Sequence, residues 1–91
     1  MRSKPRLREE AGGRRAIKAY VLIQTLPGKV QAVLRFIRRM PQMRLADSVT
    51  GPYDIVVVLE VREVRDLASV VAGTIGGLRG VTHTTTLLAT G

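Results

Sequence analysis

The stretch Val49–Val61, "VTGPYDIVVVLEV", sets a polar turn against the most apolar segment of the chain. Read as a strand, Ile55, Val57, Leu59 and Val61 point one way while Val56 and Val58 point the other, so both faces of this strand are apolar. A Gly51-Pro52 turn precedes it, and the predicted strand runs from Tyr53 to Val61. A carboxylate, Asp54, therefore stands at the mouth of a buried strand, and its purpose has to be explained.

Upstream, residues 16–25, "AIKAYVLIQT", are rich in β-branched and aliphatic side chains and stop at Pro27-Gly28, which predicts a first strand. Here too both faces are apolar, with Val21 and Ile23 opposite Tyr20 and Leu22. In "GKVQAVLRFIRRMPQ", residues 28–42, Val30, Val33, Leu34, Ile37 and Met40 recur at helical spacing, so an amphipathic helix ends at Pro41. A second strand over Met43–Thr50 follows. Strict alternation puts Asp47 on the face of Leu45 and Val49, whereas a bulge aligns Met43, Ala46 and Val49, and the sequence leaves both open.

Downstream, "EVRDLASVVAGTIGGLRG", residues 63–80, places Val64, Leu67, Ala68, Val71, Ile75 and Leu78 on one helical stripe. Asp66 sits near its positive end and Gly80 at its exit. A last strand spans Val81–Ala89. The order β-α-β-β-α-β, with right-handed crossovers, gives a ferredoxin-like α+β fold: a four-stranded antiparallel sheet carrying both helices on one face. Two helices cover one sheet face only. The other, equally aliphatic, marks a protein interface, so a homodimer with two sheets packed face to face is expected.

The chain has 91 residues and no cysteine. A domain of this size buries only about 60–65% of its unfolded surface, and without disulfides or thiolate metal sites oligomerisation is the remaining source of extra stability. The longest apolar run, Ile55–Leu59, is far below the roughly 20 residues of a membrane span, and no signal-type apolar core follows the basic N-terminus. A cytoplasmic protein without membrane association is expected.

Charge is uneven within the formal +8. Residues 1–19 hold seven basic side chains against Glu9 and Glu10, a net +5, and residues 20–91 hold the remaining +3. Residues 1–15 lack apolar periodicity and contain Pro5 and Gly12-Gly13, so they read as a flexible basic arm ahead of a domain at 16–91. Clustered cations suit contact with nucleic acid through counterion release. A solvated tail is the plainer reading, since no aromatic residue is interleaved and no helix-turn-helix, zinc or RNP pattern occurs.

No catalytic constellation can be assembled. His83 is the sole histidine, Ser48 and Ser69 lack a base partner, and the acids are scattered. His83 reads as an edge-facing residue of a Thr-rich strand, without a second metal ligand at useful spacing. The glycines of "GTIGGLRG", residues 73–80, fall within and after a helix, not before one, so they do not form a phosphate loop.

Three segments together, "AYVLIQTLPGK" (19–29), "VTGPYDIVVVLEV" (49–61) and "LRGVTHTTTLLAT" (78–90), resemble the effector-binding RAM domain of the Lrp/AsnC family of amino-acid-responsive regulators. The V-T-G-x-Y-D step and the G-V-x-x-T-x-T of the last strand carry the resemblance. Family members join this domain to an N-terminal helix-turn-helix domain. About 15 residues precede the first strand here, so the chain reads as a stand-alone form, and no direct sequence-specific DNA binding is expected.

The resemblance implies a non-enzymatic sensor of a free amino acid or similar small metabolite, without a cofactor. It also implies a ring of four dimers and co-assembly with full-length regulators. The implied ligand-binding residues are Thr50, Gly51, Tyr53, Asp54, Thr84 and Thr86. Gly51 would let a carboxylate approach backbone N–H groups, Asp54 would pair with an α-ammonium, and Thr84 and Thr86 would offer hydroxyls on one face. The alternative role for Asp54 is to accept turn N–H bonds, with the threonines as ordinary strand formers. Two other functions share these features: a small monooxygenase of the dimeric α/β-barrel type, and a nucleic-acid-binding module using the arm.

Overall fold

The computed structural model describes residues 16–91, so the basic arm at 1–15 lies outside the described residues. The elements are β1 (Ile17–Thr25), α1 (Val30–Ile37), β2 (Met43–Ser48), β3 (Ile55–Val61), α2 (Val64–Ala68, continued by a π-helical segment Ser69–Ile75) and β4 (Val81–Leu88). All strand pairs are antiparallel in the order β2-β3-β1-β4, which is the ferredoxin-like sheet expected from the sequence. Among the described residues no helix is long and apolar enough to cross a membrane.

The core forms where β1 and β3 pair. Ala19, Val21 and Ile23 lie opposite Leu59, Val57 and Ile55, and all six are fully buried. Val33, Leu34 and Ile37 of α1 cover them from one side together with Leu67, Val70 and Ile75 of α2. No buried polar or charged residue is present among the described residues, so this interior is held by apolar packing alone. Pro41 disfavours helical geometry at Met40. The chain accordingly leaves α1 through two tight i→i+3 bonds, Arg39 N–H to Phe36 O and Met40 N–H to Ile37 O, both 3.0 Å.

Two local features, one left open by the sequence and one departing from it, have physical causes. In β2 the register shifts between Met43 and Leu45, so Arg44 is the extra residue of a bulge; Met43 and Ala46 turn to the core, and Leu45 and Asp47 to the other face. Val49, grouped with Met43 and Ala46 in one reading, lies past the strand end and is exposed.

The predicted stripe on the second helix also needs correction. Leu67 and Ile75 are buried as expected and Val71 and Leu78 pack partly buried against the core, but Val64 and Ala68 are exposed and Val70, which is not on the predicted stripe, is buried. After one α-helical turn the backbone widens, and Gly76 N–H donates to Val71 O at 2.7 Å across an i→i+5 interval. Apolar positions five apart, such as Val70 and Ile75, therefore share a face. Gly73, Gly76 and Gly77 weaken the α-helical alternative in this segment.

The chain leaves this segment through Gly80, at φ 100°, where an added Cβ would lie 2.9 Å from Lys29 Cβ. Gly80→Ala should therefore destabilise the fold by about 1–2 kcal/mol through left-handed strain and crowding. A lowered urea midpoint with an unchanged m-value is the expected observation.

The face away from the helices is apolar and open. Cross-strand pairing aligns Leu45, Val58, Tyr20 and Leu87 in one row over all four strands, with Val56 and Leu22 paired beside it. Leu45 and Leu87 are 46% and 50% exposed. One end of this face is charged: Glu60 pairs with Lys18 across the strands and accepts from Arg44 Nε at 3.1 Å.

Candidate functional site

The turn before β3 is tied down from three sides. Asp54 N–H donates to Ile23 O at 2.8 Å and Val49 N–H donates to Asp54 O at 2.9 Å, which stitches the turn to the ends of β1 and β2. Gln24 Nε2 donates to Pro52 O at 2.8 Å. Tyr53 reaches over to β4, its hydroxyl 3.1 Å from Thr85 Oγ1. The loop is thus preorganised by its neighbours, with Thr50, Gly51 and Pro52 exposed at its tip.

Gly51 has φ 132°, a backbone state that side chains rarely adopt, and nothing lies within 4 Å of where a Cβ would sit. Its backbone is therefore open to an approaching group. Asp54 accepts from the end of β1, not from its own turn: Oδ2 accepts from Thr25 N–H at 2.8 Å and lies 3.4 Å from Thr25 Oγ1. Oδ1 has no hydrogen bond among the described residues. The half-buried carboxylate thus closes the end of β1, and one oxygen remains available.

Register separates the threonines of β4. Thr84 and Thr86 pair with Ile23 and Val21, so they lie on the helix-covered face, whereas Thr85 pairs with Leu22 on the open face. Tyr53 therefore meets Thr85, a residue that was not among the six expected, and not Thr84 or Thr86. Strand parity counted from Val21 across the β1–β4 ladder would have located it.

Thr85 Oγ1 is in turn 3.4 Å from His83 Nε2, which makes a polar string, Tyr53–Thr85–His83, along the edge of the open face. His83 is exposed and lies opposite Gln24. A site between helices and sheet holding this histidine would have favoured the enzyme alternative, and His83 instead faces away from the helices. Among the described residues no group of three or more His, Asp or Glu side chains could hold a metal ion.

Comparison with known proteins sets this geometry among relatives. A family model described as "Lrp/AsnC ligand binding domain" matches residues 18–91. Among curated proteins none matches the sequence. The structure of TTHA0845 from Thermus thermophilus is 43% identical and superposes with a TM-score of 0.78, over 81% of this chain and 92% of that one. AsnC of E. coli superposes at 0.81 with 18% identity over 98% of this chain, which spans only 57% of AsnC. A transcriptional regulator of Neisseria meningitidis, NMB0573, solved as its L-Met complex, superposes at 0.77 with 12% identity, over 100% of this chain and 56% of that one.

Proposed function

We propose, from the premise that this chain belongs to the Lrp/AsnC ligand binding domain family, that it senses a free amino acid or a closely related metabolite through its state of assembly. The Thr50–Asp54 loop carries this reading. It offers open backbone at Gly51 next to a carboxylate with one uncommitted oxygen, and the bonds that already tie the loop to β1, β2 and β4 leave little to rearrange on binding. An α-carboxylate suits the exposed N–H groups of the loop, and an α-ammonium suits Asp54 Oδ1. The methionine bound by the Neisseria regulator supports the ligand class.

Assembly completes the site. The open apolar face packs on a second copy, and loops from adjacent dimers enclose the ligand, in a ring of up to four dimers. Longer regulators with the same domain are the partners for co-assembly. Thr84 and Thr86 lie on the helix-covered face of β4, the edge strand among the described residues, and contribute where a neighbouring subunit meets that edge.

A melting screen of ligand-free protein against the twenty amino acids, methionine included, tests this function. A ligand at 100 times its Kd stabilises the native state by about 2.7 kcal/mol. Each kcal/mol raises Tm by roughly 4–8 °C for a domain this small, so one or a few amino acids should stand out clearly. A screen with no response overturns the sensor function.

A further inference from the structure

A second polar recess lies at the other end of β3 from the Thr50–Asp54 loop, where the strand meets α2. It has a volume of about 460 Å³, within the range of small-molecule sites. Its floor is apolar, formed by Val61 and Val70, each 7% exposed. Arg62, Asp66, Ser69 and Thr74 supply its rim, and Gln42 lines it from the α1–β2 connection. The π-helical register is what makes this rim: Ser69 and Thr74 stand five residues apart, the interval that stacks on one face of such a segment.

The acid of this recess stands out among the described acids. Five acidic residues lie in 16–91, and four are engaged: Asp47 with Arg38, Glu60 with Arg44, Glu63 with Arg65, and Asp54 with Thr25. Asp66 alone has no ion-pair or side-chain hydrogen-bond partner among the described residues, and Arg62 has none either. They line one recess without pairing with each other.

We propose that this recess binds a small zwitterion, a free α-amino acid with a short polar side chain. The guanidinium of Arg62 offers paired donors to a carboxylate, Asp66 accepts from an ammonium, and Ser69, Thr74 and Gln42 serve a polar side chain. Opposite charges at one site disfavour the other common ligands. Asp66 repels phosphates and nucleic acid, and Arg62 repels a divalent cation.

Amide NMR spectra of the full chain, titrated with L-serine, L-asparagine and L-glutamine, test the assignment. At least one should move the amide signals of Arg62, Asp66, Ser69 and Thr74 in a saturable way. Arg62→Gln and Asp66→Asn, both at exposed positions that leave the core intact, should each weaken that response at least tenfold. The proposal is overturned if no probe moves these signals, or if both variants respond as the parent does. Shifts confined to Gly51–Asp54 would dispose of this recess while leaving the proposed sensor loop standing, and the converse pattern would do the reverse.

Discussion

Leu22→Arg should convert the assembled protein into a folded monomer. Light scattering of the parent at low micromolar concentration should return at least twice the 10.0 kDa chain mass, and the variant a mass near 10 kDa. Leu22 sits in the middle of the open face, between Val56 of β3 and Thr85 of β4, and is only half-buried within the chain. Its replacement therefore costs the isolated subunit little. In a two-fold assembly the same substitution enters the interface from both copies, and an unpaired charge buried there costs several kcal/mol. A loss of about 4 kcal/mol weakens association about a thousandfold. Arg39→Ala, on the exposed side of the chain beyond α1, should leave the mass unchanged. A parent protein of 10 kDa would show that the aliphatic face is not covered by a second copy.

The strands that build this face were legible because a two-residue period with apolar side chains in both phases, as at Ile55–Val61, admits few readings. The β1 and β3 pairing follows from it, and the helical spacing of Val33, Leu34 and Ile37 assigns one face to the helices. What escaped was parity and width. The run Thr84-Thr85-Thr86 offers a hydroxyl in either phase, so composition could not say which one faces Tyr53; the cross-strand partners Ile23, Leu22 and Val21 decide it. The π-helical segment was hidden because Val70 and Val71 are both apolar, and either completes a stripe on paper. Only the i→i+5 closure at Gly76 selects Val70. The partner of Asp54 escaped for a different reason. Thr25 lies 29 residues away, and its N–H is left to a side chain because the β1–β3 ladder ends at the Ile23–Ile55 pair, one step short of it.

That bond changes what should happen when Asp54 is replaced. A side chain kept only for a ligand could be removed at little cost, but Asp54→Ala also strips the acceptor from Thr25 N–H in a half-buried setting. Hydrogen bonds to charged groups contribute about 1.5–3 kcal/mol, so the variant should lose about that much stability and all response to the amino acid identified by the melting screen. Asp54→Asn separates the two effects. Its amide oxygen can still accept from Thr25, so most of the stability should return, whereas the negative charge that would hold an α-ammonium is gone and ligand response should fall at least tenfold. Equilibrium unfolding in urea measures the first quantity and ligand titration by calorimetry the second. If Asp54→Asn binds the ligand as tightly as the parent does, the carboxylate is a strand-closing group only, and recognition of the ammonium has to come from a neighbouring subunit.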